Sequence, residues 1–209
     1  MCVRFYIDKT DPVLFPLCEA AVQSPMAMRF AHGDGGAILT QGEIRPTNIV
    51  PTIAFSKGGN RTVFPMKWGF NVPIAHKTVP KLVVNARTET AAQKRSFSDA
   101  WAAHRCIVPA SWYFEWEHYV NPAGKLCTGD KCSIQPKGSS VTWLCGLYRM
   151  EEGLPHFVIL TMAPLPELAK IHDRMPVMLP EEYTDAWIDP TVNPADLLPY
   201  TVNEVMVWK

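Results

Sequence analysis

The sequence predicts an α+β fold: one domain over residues 1–209, with a mostly antiparallel sheet or barrel and short peripheral helices. Three observations point there. β-like runs outnumber helical ones, and the two are interspersed without the rhythm of a parallel βαβ sheet. Nineteen prolines against twelve glycines favour many short elements joined by rigid turns. No internal repeat or low-complexity linker divides the chain.

The opening alternates, with Val3, Phe5 and Ile7 on one face and Cys2, Arg4 and Tyr6 on the other. If the apolar set is buried, the thiol and the guanidinium share the opposite face. Asp11–Phe30 is weakly helical in pattern and interrupted at Pro25. Strands are expected at Ile49–Phe55, Thr62–Trp68, Leu82–Arg87, Arg105–Val108 and Trp112–Glu117. Others follow at Ser133–Gln135, Val141–Tyr148, His156–Thr161 and Glu204–Trp208. Ser96-x-x-Asp99 before Trp101 has the form of a capping box opening a helix through His104. Short helices are expected at Pro166–Ile171, Glu181–Ile188 and Pro194–Leu198. Asn121–Gly138, with Asn-Pro, Gly and Thr-Gly-Asp, reads as an extended hairpin loop.

Composition narrows the function. Hydrophobic residues make up 47% of the chain, enough for one substantial core. Twenty basic and twenty acidic residues cancel, so the chain is no general polyanion binder and any nucleic-acid contact must come from a local cluster. No apolar run approaches membrane-spanning length and no signal-peptide pattern opens the chain. A reducing cytoplasm is expected, with Cys18, Cys106 and Cys145 as small buried hydrophobes. Cys127-x4-Cys132 lacks a second ligand pair, so neither metal nor cofactor is expected.

The chemistry centres on Cys2, which follows the initiator directly. Removal of Met1 would leave an α-amine and a thiol on adjacent carbons. An α-amine with a pKa of about 7.7–8.0 keeps a useful neutral fraction near physiological pH. Amine and thiol together can capture an aldehyde as a Schiff base and close it to a thiazolidine. In Trp112–Glu117, alternation separates Trp112, Phe114 and Trp116 from Tyr113, Glu115 and Glu117; Glu115 is a candidate proton carrier, or one of a solvated strand face. Asn85 and Arg87 share a face, where they suit an oxyanion and a phosphate, or merely cap a strand end. His172 precedes Asp173-Arg174-Met175-Pro176 and suits a proton shuttle or a phosphate contact. His32, His76, His104, His118 and His156 have no comparable context.

These residues fall within a larger ordered set. It comprises Met-Cys-x-Arg-Phe, Arg45-Pro46-Thr47-Asn48, Trp68-Gly69-Phe70 and Asn85-Ala86-Arg87-Thr88-Glu89-Thr90. Arg105-Cys106-Ile107-Val108-Pro109-Ala110, Trp112-Tyr113-Phe114-Glu115-Trp116 and Ile171-His172-Asp173-Arg174-Met175-Pro176 follow. From Cys2 to about Pro180 the chain resembles the SOS-response-associated peptidase (SRAP) family, the abasic-site processing proteins. The resemblance implies a β-barrel-like core with a DNA groove and covalent capture of abasic sites in single-stranded DNA. It implies Cys2 as crosslinking nucleophile, Asn85 steadying its reaction with the sugar, Glu115 as acid/base and His172 assisting near the sugar-phosphate. Arg4 and Arg87 would hold phosphates, Trp68 would shape the DNA path, and Pro46 and Arg174 complete the DNA-binding set.

Two positions depart from the family. Val3 stands where glycine is usual, and Asn71 follows Trp68-Gly69-Phe70 where another tryptophan is common. Single-stranded DNA with abasic sites is the expected partner of a monomer with no obligate protein partner, and a slow lyase reaction through the Schiff base is a further expectation. The rival readings are a cysteine peptidase acting on its own N-terminus and a non-catalytic reader of modified DNA.

Overall fold

The computed structural model describes residues 2–33, 36–76 and 78–209. The expected loss of Met1 therefore lies outside the described residues. In chain order the elements begin with β1 (Phe5–Ile7), α1 (Leu14–Gln23), α2 (Pro25–Gly33), β2 (Gly42–Ile44) and β3 (Ile49–Phe55). Next come β4 (Arg61–Trp68), β5 (Phe70–Val72), β6 (Lys81–Val83), β7 (Asn85–Arg87), α3 (Thr88–Ala91) and α4 (Ser98–Ala103). β8 (Arg105–Ala110), β9 (Trp112–Val120), β10 (Leu126–Pro136), β11 (Thr142–Glu151) and β12 (Leu154–Met162) carry most of the sheet. β13 (Met175–Pro176), β14 (Met178–Leu179), α5 (Thr184–Ile188) and β15 (Val205–Trp208) complete the chain.

Five strands close on themselves in the order β12-β4-β3-β8-β11 and back to β12. The closing seam is parallel, His156 opposite Lys67 and Phe157 opposite Trp68. Closure leaves β8 without a solvent face, and all six of its residues are buried. The expected β-rich core, mostly antiparallel with short helices outside, is the observed one. A second sheet runs β15-β10-β9-β1-β2, antiparallel throughout, and carries the start of the chain across the barrel.

Pro25 interrupts the first helical run by opening the second helix, and Cys18, Cys106 and Cys145 are buried as expected. Other boundaries differ. The single strand expected over Leu82–Arg87 is broken at Val84, whose carbonyl accepts from Ile159 N at 3.1 Å and Trp68 Nε1 at 2.9 Å. β6 pairs with β5, while β7 joins β12 in parallel. The loop expected over Asn121–Gly138 shrinks to a turn before Leu126, where Asn121 Oδ1 accepts from Ala123 N and Lys125 N, each at 3.0 Å. Pro166–Ile171 forms turns, not a continuous helix: Leu168 N and Ala169 N share Leu165 O at 2.9 and 3.1 Å, and Ile171 N and His172 N share Leu168 O at 2.8 and 3.0 Å. Ser96 caps nothing: α4 starts at Ser98 after an uncapped Phe97, both amides being taken by Lys94 O.

Candidate functional site

The site lies where the start of the chain meets β7, β9 and the turn before β13. Cys2 sits just ahead of β1 with no solvent exposure, inside the core. This corrects the expectation of a thiol on the open face with Arg4; regular alternation begins only at Phe5. Asn85 Nδ2 donates to the Cys2 carbonyl at 2.9 Å, tying the first described residue to the barrel through β7. Asn85 Oδ1 is buried and has no hydrogen-bond partner among the described residues.

β9 brings the carboxylate. Its Tyr113–Glu115 face turns inward, with Tyr113 fully buried and Glu115 only 4% exposed, so the solvated-face alternative fails. The aromatic face is covered as well: Trp112 stacks on Tyr6 at 4.5 Å, and Lys131 Nζ lies 3.7 Å from the Phe114 ring centroid. Both faces of the strand are packed, which is why alternation alone left the burial of the inner one open.

Burial is the main cause of the thiol's state. It pushes Cys2 far above the usual thiol range, and the Glu115 charge adds to the push. Tyr113 is raised by burial, then by Cys2 and Glu115. His172 is lowered by burial, which Glu115 partly opposes. Glu115 thus acts electrostatically on the thiol, the phenol and the imidazole. His172 Nδ1 accepts from Arg174 N at 3.0 Å and lies 2.8 Å from Asp173 Oδ1. The two contacts require opposite protonation of Nδ1. Burial favours the neutral ring, in which Arg174 N–H is the partner and the ring proton sits on Nε2.

An open pocket of about 390 Å³ adjoins this cluster, lined by Val3, Arg4, Glu115, Trp116, His118, Thr128 and His172. Arg4 and Lys131 share the carboxylate of Glu43, at 3.6 and 2.5 Å, with Arg45 at 3.4 Å. The Lys131 hydrogen bond chiefly holds Glu43 below the usual carboxylate range. Three cations around one acid give this rim a local positive excess that the neutral total conceals.

The other expected DNA contacts are dispersed. Arg87 is exposed and lines a separate groove with Asn85, Lys81 and Lys94. Pro46 is half-buried in the turn that Asn48 closes by accepting from Arg45 N at 2.8 Å. Arg174 is committed to Glu89, bonding its two oxygens at 2.6 and 2.9 Å, and to Thr161 O at 2.7 Å. Trp68 has no exposed surface; it lies between Phe5 and Phe157, at 5.2 and 6.0 Å, so it builds the wall behind the site and offers no face to DNA. Gly69 beside it has φ 120°, and an added Cβ would lie 2.5 Å from Leu82 Cδ1, so this turn admits only glycine. Sequence reasoning missed Glu43, Lys131 and His118; only the strand pairing of β9 with β10 brings the last two to the site.

Fold and site together define a small barrel protein that sets a buried thiol near its N-terminus against a carboxylate, an amide and an imidazole. The chain belongs to the SOS response associated peptidase (SRAP) family, whose model matches residues 1–208. It is 30% identical over 187 residues to the abasic site processing protein YobE of Bacillus subtilis, covering 82% of this chain and 83% of that one. It is 32% identical over 132 residues to the abasic site processing protein YedK of Escherichia coli, covering 59% and 54%. A crystal structure of a protein from Bacteroides thetaiotaomicron superposes with a TM-score of 0.73 at 21% identity, covering 99% of this chain and 91% of that one. That last likeness concerns the fold. Among the described residues no helix is long and apolar enough to cross a membrane.

Proposed function

We propose that this protein processes abasic sites in single-stranded DNA by covalent capture through Cys2, after Met1 has been removed. The observation that carries the reading is the Asn85 amide on the Cys2 carbonyl beside the buried Glu115. The names of the SRAP relatives support the same substrate.

The chemistry follows from these groups. The abasic sugar is mostly ring-closed, and Glu115 moves the proton that opens it to the aldehyde. The α-amine of Cys2 adds to the carbonyl carbon, and loss of water gives the imine. The thiol then attacks the imine carbon, its proton passing to Glu115 and the nitrogen regaining one, which closes the thiazolidine. The net change is aldehyde plus aminothiol to ring plus water. Because burial keeps the thiol protonated, a neighbouring base is needed at this last step. Asn85 fixes the Cys2 peptide so that amine and thiol meet the same carbon. His172 and Arg4 serve the sugar-phosphate. At the imine stage, loss of a C2′ proton with departure of the 3′ phosphate gives a slow lyase reaction.

The test is the intact mass of the protein after incubation with uracil-containing single-stranded DNA and a uracil glycosylase. The expected product has the mass of protein lacking Met1 plus DNA minus one water, and Cys2→Ser yields none. An adduct of equal yield on Cys2→Ser would overturn the proposal.

A further inference from the structure

His118 has no role in the reaction above, yet the fold brings it into the pocket. Its ring lies against that of His172, centroids 5.2 Å apart and planes at 57°. Its direct cross-strand partner on β10 is Thr128, and both line the pocket with Arg4 and Glu115. Directly paired residues project from the same face of a sheet, so the imidazole and the hydroxyl stand side by side.

The hairpin is shaped to do this. Between Thr128 and Lys131 the pairing slips by one residue, because β10 advances three positions while β9 advances two. Such a bulge bends the strand and sharpens its twist. Gly129 sits in it, and an added Cβ would approach Glu117 Cβ to 3.2 Å. A residue with a side chain there would need Glu117, the neighbour of His118 on β9, to give by a few tenths of an ångström.

The pocket is also polarised. Its inner wall carries the buried acid Glu115; its outer rim carries hydrogen-bond donors, namely Arg4, the His118 imidazole and the Thr128 hydroxyl. A phosphodiester is repelled by the acid and accepts from the donors. We infer that the His118–Thr128 rung is a phosphate seat, taking one phosphodiester next to the abasic nucleotide and so turning its sugar inward toward Glu115 and Cys2. This rests on the proposed function for the identity of the nucleotide, but not for the phosphate contact itself.

The test uses single-stranded oligonucleotides with one tetrahydrofuran residue, an abasic analogue with no aldehyde, and reads affinity by fluorescence anisotropy. His118→Ala should weaken binding about tenfold, as for loss of one good hydrogen bond to a charged group. Thr128→Val should weaken it by about threefold. Single phosphates flanking the analogue are then replaced in turn by neutral methylphosphonate. At one position the replacement should weaken the wild-type protein about tenfold yet leave His118→Ala unchanged, the non-additivity of two partners in one contact. Additive losses at every position, or unaltered affinity of His118→Ala, would overturn the inference. Circular dichroism of each variant separates these outcomes from unfolding; should His118→Ala unfold, His118→Phe, which keeps a ring but has no donor, carries the same cycle. Failure of capture on true abasic DNA with the cycle intact would remove the proposed chemistry and leave the phosphate seat standing.

Discussion

Two buried polar regions of the molecule are built to opposite rules. Arg105, 1% exposed, uses all five of its N–H groups on carbonyls: Trp187 O at 2.6 Å, Trp101 O at 2.8 Å, Ala102 O at 2.7 Å, Val192 O at 2.8 Å, and Asp189 O. It pins α4, α5 and the segment after α5 to the start of β8. Around Cys2, by contrast, Asn85 Oδ1 and the Tyr113 hydroxyl are buried without hydrogen-bond partners among the described residues. A native core tolerates few such groups, because each costs about 1–3 kcal/mol. The saturated contacts of Arg105 tie the helices to the barrel; the unsaturated groups beside Cys2 have hydrogen-bonding capacity left over.

The sharpest way to break this contrast is to strip the saturated side. Arg105→Met leaves five carbonyls without their donor and should lower stability by about 3–5 kcal/mol in urea unfolding, with capture per folded molecule unchanged. A loss below about 1 kcal/mol would show that the carbonyls find other partners. On the other side, Glu115→Gln should slow capture by about 10²-fold. Its unfolding midpoint should move little, and His172→Ala should slow capture less. If Glu115→Gln captured DNA at the wild-type rate while His172→Ala was inactive, the proton-carrying role would pass to the imidazole.

Tyr113→Phe sharpens the same comparison with a smaller effect. Its hydroxyl has no bond to lose, so the variant should match the wild type or exceed it by up to about 1 kcal/mol. A loss of stability would show that the hydroxyl is satisfied. The smallest effect belongs to the Glu89–Arg174 pair. The Arg174 hydrogen bonds hold the Glu89 carboxyl at about 2 against an ordinary 4.5. With the folded value depressed, the stabilisation is present above about 4.5 and is lost as pH falls toward 2. Glu89 is half-exposed, so solvent screening keeps the difference from Glu89→Gln under about 1 kcal/mol at pH 7. That difference should vanish near pH 2, as read from thermal midpoints across the acid range.

Local patterns were legible in the sequence where a short run carries its own signal, as in the β-branched run of β3 (buried at six of its seven positions) or a proline. β3 matches its expected bounds, and Pro25 divides the helices where its missing amide requires. Alternation could not tell which face of β9 is buried, because the tryptophans and the Tyr113–Glu115 pair are both covered. Local patterns failed where pairing is set at long range. Cys-Thr-Gly-Asp-Lys on β10 has the composition of a loop, and its backbone is extended because β9 lies alongside it. The motif residues Cys2, Asn85, Glu115 and His172 could be singled out as candidates from the sequence, whereas the burial of Cys2 and Trp68 could not. His118 looked contextless because its context, His172 and Thr128, is supplied entirely by folding.

The bond from Asn85 to the Cys2 carbonyl also imposes a timetable. It spans 83 residues of sequence, and β7 is itself held by β12 at Ile159. At about 5–20 residues per second, a ribosome needs on the order of 10–30 s to travel from Cys2 to that strand. Until then the start of the chain has no barrel to enter; afterwards the Asn85 amide holds the Cys2 carbonyl. The residue made first is fixed among the last, so on the proposed function synthesis itself provides the interval in which the Cys2 amine would be uncovered.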